Sequence, residues 1–185
     1  MTLGRTTTPR RTPGDAHRTA VGFATVKLTI AAVGKLTKGP ERALCERYAA
    51  RINAQGRSVA LGPLTERAFK EASSEQVALR QQTEAAQLLD AIRSADRKVV
   101  LDERGKTLSS PAFADVLRDA RDDGVAEMAF LIGGPNGHHA SVRDAADLRL
   151  ALGAMTLPHA LARALLMEQI YRAITIVAGH PYHRA

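Results

Sequence analysis

Short apolar runs alternate with longer amphipathic segments along most of this chain. Val26–Val33, Lys98–Asp102 and Met128–Ile132 each have the length of a buried β-strand, and each is followed by a turn and a segment with helical spacing. Strands that alternate with helices are joined by crossover connections, which set neighbouring strands parallel and cover both faces of the sheet. The sequence therefore predicts an α/β fold with a mostly parallel sheet and helices on both faces.

Turn and capping residues set the boundaries of the other elements. Gly39-Pro40 and Gly56 mark the start and end of one helix, and Ser109-Ser110-Pro111 is typical of a helix N-terminus. We further predict short strands at 58–61 and 148–152, a loop at 103–107, and helices at about 71–93, 109–124, 138–147 and 158–177.

The first 25 residues differ from the rest of the chain. They are rich in Thr, Arg, Gly and Pro and show no helical or strand period, so we predict a disordered basic extension before a single domain at 26–185. A transit peptide is one alternative, although Pro9 and Pro13 interrupt an amphipathic helix. A start codon placed too early is another.

The charge of the chain favours a polyanionic partner. Lys and Arg number 26 against 19 Asp and Glu, a net charge of +7 at pH 7. Four arginines and one aspartate lie in the extension, which leaves a net charge of +4 for residues 26–185. Basic surfaces attract the phosphates of nucleic acids. Because aromatic residues make up only 4% and Trp is absent, a single-strand binder that stacks bases on many rings is disfavoured.

Several classes of protein are disfavoured by what the sequence lacks. No run of about 18 apolar residues exists, so we predict no membrane span. The one cysteine, Cys45, cannot form an intrachain disulfide, which indicates a reducing compartment such as the cytoplasm. Neither G-x-x-x-x-G-K-[ST] nor a helix-opening G-x-G-x-x-G is present, which disfavours kinases, GTPases and dinucleotide-linked dehydrogenases.

Three loops that follow predicted strands are candidates for ligand binding. In an open α/β sheet, ligands bind beyond the carboxyl ends of the strands. The paired glycines of one loop allow positive φ and close approach of the backbone to a ligand. A tight turn without a ligand explains that loop equally well. The three loops are 102–106, 133–137 and 153–158.

The chain ends in a cluster of His, Tyr and Arg directly after an apolar helix. His180 and His183 are too few ligands for a metal site, so we expect no metal. If the helix anchors this tail, His183 can take a proton near neutral pH and Arg184 can hold a phosphate or an oxyanion. A solvated tail is the alternative.

The apolar stripe of the last helix is broader than one core face requires. Leu166, Ile170, Ile174 and Val177 share a face, and Leu161 and Leu165 lie beside it. One side can meet the sheet and the other a second subunit, which makes a homodimer plausible. A crowded monomer core is the alternative.

Several of these segments together resemble one family, the large-subunit rRNA pseudouridine N3-methyltransferases of the SPOUT superfamily. Each motif is weak singly, but their combination and order along residues 26–185 are specific. The resembling segments are 32–36 (AVGKL), 101–106 (LDERGK), 130–137 (FLIGGPNG), 155–159 (MTLPH), 168–173 (EQIYRA) and 180–184 (HPYHR).

The resemblance implies a parallel sheet whose C-terminal portion forms a deep trefoil knot, with S-adenosylmethionine bound in the knotted loops. It implies a homodimer through the last helix and no metal. It also implies a substrate, a pseudouridine in large-subunit (23S) rRNA presented by the assembled ribosome. RNA is recognised largely through shape and splayed bases, which suits a small domain without an added RNA-binding module.

The motifs also assign residues. The cofactor pocket implied by the resemblance comprises Leu101, Gly134, Gly153, Ala154, Met155, Thr156, Leu157 and Pro158. His183 is the candidate base that removes the N3 proton, Arg184 holds a phosphate or a uracil oxygen, and Tyr182 shapes the pocket.

The chain departs from the family at His138-His139, at the terminal Ala185 and in its charged extension. Two rival functions remain. One is a SPOUT methyltransferase for another rRNA or tRNA base, and the other is a noncatalytic ribosome-binding factor.

Overall fold

The computed structural model describes residues 24–181. Most of the predicted extension and the three predicted catalytic residues, Tyr182, His183 and Arg184, lie outside the described residues.

Within the described range, five strands form one parallel sheet. Its order is β2-β1-β4-β3-β5, and every neighbouring pair is parallel. The prediction of an α/β fold with a parallel sheet is confirmed. The strands are β1 Val26–Val33, β2 Leu61–Phe69, β3 Arg97–Thr107, β4 Glu127–Ile132 and β5 Leu148–Ala151.

Helices cover both faces of the sheet, as predicted. Three helices, α1 Pro40–Gln55, α3 Ser110–Asp122 and α5 His159–Val177, pack with the larger apolar cluster on one face. The helices α2 Val77–Ala91 and α4 Ala140–Asp144 pack with a smaller cluster on the other. Strand residues alternate between the two clusters, so the sheet is buried on both sides.

Capping residues set helix starts where the sequence predicted them. Ser109 Oγ accepts a hydrogen bond from the N–H of Ala112, and a proline follows in the first turn of α3. Gly39, with φ of +104°, precedes Pro40 at the start of α1, and Gly56 follows its last residue.

Three predicted boundaries are wrong. The second strand was expected at 58–61, but Ser58 lies in a short 3₁₀ helix and the strand runs over Leu61–Phe69. This strand lies at the sheet edge, where polar residues are tolerated, so its apolar signal is weak. The helix expected from 71 begins at Val77, because the N–H of Ala72 bonds the side chain of Glu84 and not a helical carbonyl.

The third wrong boundary is the loop expected at 103–107. This segment belongs to β3, whose Lys106 and Thr107 pair with Leu150 and Ala151. Leu101 also pairs with Leu150, so residues 102–105 form an excursion between two pairings with the same partner. A Cβ on Gly105 would lie 2.6 Å from the carbonyl of Arg149, so the two chain segments cross at backbone contact.

Candidate cofactor site

The carboxyl ends of the parallel strands bring the predicted ligand loops to one edge of the sheet. Since β4 lies between β1 and β3, the loop 133–137 is at the centre of this edge. The β3 excursion lies on one side of it, and the 153–158 loop follows the neighbouring β5. This edge is where open α/β sheets bind ligands.

The loop 133–137, here called the glycine loop, is a tight turn. Gly137 has φ of +71°, and its N–H donates to the carbonyl of Gly134 at 3.0 Å. Gln81 on α2 donates from Nε2 to the carbonyl of Asn136 at 2.6 Å. The turn is therefore held both by its own backbone and by the helix beneath it.

The paired glycines are required for a reason that differs from the predicted one. Positive φ occurs at Gly137 and not at Gly133 or Gly134. A Cβ on Gly134 would lie 3.0 Å from both Glu84 Oε2 and Val33 Cγ1, so this residue packs closely against α2 and β1. A valine at position 134 would therefore clash with Glu84 and Val33 and displace the loop, whether or not a cofactor contacts it.

Glu84 is a buried acid that sequence reasoning missed. Its exposed fraction is 3%, and its Oε1 accepts from the N–H of Ala72 at 3.0 Å. Its Oε2 has no hydrogen-bond partner among residues 24–181. A signal was present, because Glu84 is one turn before Leu88 on the apolar face of α2.

His138 links the glycine loop to the predicted cofactor residue on β3. It is 6% exposed, and its Nε2 lies 3.1 Å from the carbonyl oxygen of Leu101. Because a carbonyl only accepts, Nε2 carries the proton and Nδ1 is an acceptor. Burial lowers the pKa of His138 and outweighs the opposing effects of the Leu101 carbonyl and Asp102. His138 is therefore neutral at pH 7.

The predicted cofactor run at 153–158 is open to solvent. Met155 is 82% exposed, and Ala154, Thr156 and Pro158 are also exposed. Gly153 and Leu157 are partly covered. Thr156 Oγ1 donates to Glu103 Oε2 at 3.4 Å, which connects this run to the β3 excursion. The run therefore presents backbone and short side chains beside β3.

Arg163 fixes the start of α5 against the ends of β1 and β2. It is fully buried and donates to Glu66 Oε1 at 2.8 Å. It also donates to the carbonyls of Val33 and Gly34, at 3.2 and 2.6 Å. Since α5 begins one residue after Pro158, this arginine also anchors the predicted cofactor run.

Helix α5 carries the chain away from this edge. Its 19 residues span about 28 Å. At the start of α5, His159 lies beside Gly34, at the carboxyl end of β1. Near its end, Ile174 lies 3.7 Å from where a Cβ on Gly56 would be. Gly56 itself packs on Leu61, at the amino end of β2. The N–H of His180 donates to the carbonyl of Thr175 at 2.8 Å, so the described chain ends near the amino edge.

The end of the described chain is therefore at the opposite edge of the sheet from the 153–158 run. His183 is two positions after Pro181 in the sequence, and two residues span at most about 7 Å. This is far less than the length of α5.

No group of three or more His, Cys, Asp and Glu side chains within 24–181 is arranged to hold a metal ion. Over the same range, no helix is long and apolar enough to cross a membrane.

Comparisons with known proteins agree on one family. Residues 26–183 match the family described as predicted SPOUT methyltransferase. Proteins from Brucella anthropi and Rhodopseudomonas palustris, each named ribosomal RNA large subunit methyltransferase H, are 44% and 46% identical over 160 residues. Each alignment covers 86% of this chain and 100% of the relative.

A solved structure shares the fold. A probable methylase family protein from Haemophilus influenzae aligns with a TM-score of 0.50 and 9% identity, over 88% of this chain and 71% of the other.

Proposed function

Because this chain belongs to the SPOUT methyltransferase family, we propose that it methylates N3 of a pseudouridine in large-subunit (23S) rRNA, using S-adenosylmethionine and acting on the assembled ribosome. The observation that carries the proposal is the similarity to relatives named ribosomal RNA large subunit methyltransferase H along their whole length. An enzyme with this substrate works in the cytoplasm.

The residues at the carboxyl edge fit S-adenosylmethionine. Leu101, Gly134 and the 153–158 run (Gly153, Ala154, Met155, Thr156, Leu157 and Pro158) would hold it, since adenine needs an apolar slot with main-chain hydrogen bonds. The bond between His138 and the Leu101 carbonyl and the crowding beneath Gly134 support a fixed pocket. When bound, the cofactor supplies a methyl group activated by a sulfonium.

The tail residues supply the remaining chemistry. His183 would accept the proton that N3 of the base loses when it is methylated. Arg184 holds a phosphate or a uracil oxygen, and Tyr182 shapes the base pocket. These groups act only when they are aligned with the cofactor loops.

A homodimer provides that alignment. Because α5 separates the cofactor loops from the tail by about 28 Å, the tail of one protomer would complete the site of its partner. Pairing of two protomers through α5 fits the broad apolar stripe of this helix. It also fits Leu161, which is near the start of the helix and is 44% exposed. Two identical sites then follow from twofold symmetry.

A trefoil knot in the C-terminal portion belongs to the same proposal. The excursion of β3 between two pairings with Leu150 supports it, as does the backbone crossing of Gly105 over Arg149. Glycine permits this close approach, because a Cβ at position 105 would clash with the backbone of Arg149 and Leu150.

The carboxyl edge also carries cations suited to rRNA phosphates. Lys35 and Lys38 follow β1, Lys70 follows β2, and Lys106 directly follows the β3 excursion. All four are exposed. Such contacts position an RNA without reading its sequence.

The test is transfer of labelled methyl groups from S-adenosylmethionine to ribosomes that lack the modification, beside isolated large subunits and free rRNA. Label that maps to N3 of a pseudouridine in assembled ribosomes is the expected result. Label on a different base or on tRNA would replace the substrate and keep the enzyme class. Ribosome binding without any transfer would favour a noncatalytic factor.

A further inference from the structure

Glu84 is the one acid among residues 24–181 that is both buried and left with an unpartnered carboxylate oxygen. It lies on α2, beneath the glycine loop, and is 3% exposed. No Lys, Arg or His nitrogen in the described residues lies within 4.0 Å of its carboxylate. The nearest basic residue along the helix, Arg80, bonds instead to the carbonyls of Ser74 and Glu75.

The carboxylate points towards the loop that we assign to the cofactor. A Cβ on Gly134 would lie 3.0 Å from Oε2 and 3.4 Å from Oε1 of Glu84. Glu84 also lines a narrow cleft with Gly133, Gly137 and His138. The carboxylate of Glu84 therefore lies directly against the glycine loop.

A buried carboxylate is costly unless a positive charge compensates for it. His138, which lines the same cleft, is neutral at pH 7 because burial lowers its pKa. Arg143 donates to the carbonyl of His138, and it contributes no bond to Glu84. The described residues supply no such charge next to Glu84, whereas S-adenosylmethionine carries a sulfonium and an ammonium.

We propose that Glu84 selects the charged cofactor: its carboxylate attracts the sulfonium of S-adenosylmethionine and gives no such attraction to the neutral thioether of S-adenosylhomocysteine. This inference rests on the proposed function, because it requires the cofactor at the glycine loop. It gives the site a means of releasing its product after the methyl group has left.

The test measures binding and not turnover. Glu84→Gln keeps the size of the side chain and the acceptor for the Ala72 N–H but removes the charge. Calorimetry should show that the affinity for S-adenosylmethionine falls about tenfold, since charges several ångströms apart interact at an effective dielectric of about 20, whereas the affinity for S-adenosylhomocysteine changes less than about twofold.

Glu75→Gln is the matched control, because Glu75 is exposed and the substitution makes the same change of charge. It should leave both affinities as they are. If Glu84→Gln fails to fold, Glu84→Ala is the second neutral variant and is judged by the same ratio of affinities. Glu84→Asp retains the charge and should retain the preference.

Equal weakening of both ligands by Glu84→Gln would overturn the proposal and leave Glu84 a support for the loop. Unchanged binding of both ligands would overturn it as well. Failure of the wild-type protein to bind S-adenosylmethionine would instead contradict the proposed function, and the wild-type titration reports this separately.

Discussion

Gly34 faces the imidazole of His159 so closely that a Cβ at position 34 would lie 2.6 Å from Nε2 and 2.8 Å from Cδ2. The contact joins the carboxyl end of β1 to the first residue of α5, and Arg163 adds hydrogen bonds between the same two elements. Since the 153–158 run directly precedes His159, its position relative to the sheet depends on this contact.

Gly34→Ala should therefore destabilise the protein and displace the start of α5. The new methyl group overlaps the His159 ring, and φ of +88° is unfavourable for alanine, so we expect a loss of about 2–3 kcal/mol in the free energy of unfolding. Chemical denaturation measures it. Gly39→Ala is the control, because its φ is also positive but its Cβ would meet only Glu41 Oε2, at 3.4 Å. Equal losses in the two variants would show that the His159 contact is unimportant.

Arg163→Met should cost about 3 kcal/mol in the free energy of unfolding, because it leaves two carbonyls and one carboxylate oxygen without their buried donor. Arg42 binds the other oxygen of Glu66, at 3.1 Å, with a side chain that is 34% exposed. Arg42→Met should therefore cost less than about 1 kcal/mol. Urea titrations measure the free energy of unfolding of both variants. A larger loss in Arg42→Met than in Arg163→Met would contradict this account of the β1–α5 junction.

The sequence predicted the architecture well where periodicity and capping agreed. The apolar runs of β1 and β4 and the Ser109 cap of α3 are each explained by local chemistry. Prediction was wrong at β2, where Glu66 and Arg67 interrupt the apolar pattern. Glu66 is accommodated because Arg163, nearly a hundred residues away, bonds to it, and no local signal contains that partner.

The loops of the candidate site were also predictable, because ligand sites in parallel sheets follow strand ends. What could not be predicted was the layer beneath them. The position of Glu84 one turn before Leu88 indicates the apolar face of an amphipathic helix, but it does not show what covers the carboxylate. His138 lies where the family pattern varies. Their burial depends on how α2 and the glycine loop pack, which is a tertiary property.

Stability should fall below pH 6.5 because of His138. Burial keeps its folded pKa below the unfolded value of about 6.5, so the unfolded state binds more protons between the two values. The contribution of neutral His138 to the free energy of unfolding is complete above pH 7. It is lost as the pH falls from 6.5 towards the folded pKa, at up to about 1.4 kcal/mol per pH unit. Hydrogen bonds from Thr29 and Ser94 lower the pKa of Glu127, so its contribution to the free energy of unfolding is lost only at lower pH.

Denaturation of His138→Leu between pH 7.5 and 5.5 checks this expectation. The variant should lose most of the pH dependence, whereas His139→Asn, which keeps an acceptor for the N–H of Ser141, should retain it. If the free energy of unfolding of His138→Leu still varied with pH as in the wild type, another group would be responsible.

Met155→Ala should weaken S-adenosylmethionine binding without changing stability. The side chain is 82% exposed, so its removal leaves no cavity in the protein, but it removes an apolar contact from the proposed adenine slot. We expect about fivefold weaker binding by calorimetry and an unchanged melting temperature. Leu79→Ala on α2, 48% exposed, is the control and should leave binding intact. Full affinity in Met155→Ala would remove this residue from the pocket.

Mixed dimers test whether the tail acts on the partner's site. His183→Ala removes the proposed base, and Gly134→Val disturbs the cofactor loop through its contacts with Glu84 and Val33, so each homodimer should be inactive. If the tail crosses to the partner, a heterodimer of the two has one intact site and one doubly defective site, and random mixing should restore about a quarter of wild-type activity. If each tail serves its own chain, both sites of the heterodimer are defective and mixing restores nothing.

The length of α5 favours the first result, because about 28 Å separates the two halves of the site within one chain. Methyl transfer to ribosomes, measured after unfolding and refolding the mixture together, distinguishes the two outcomes.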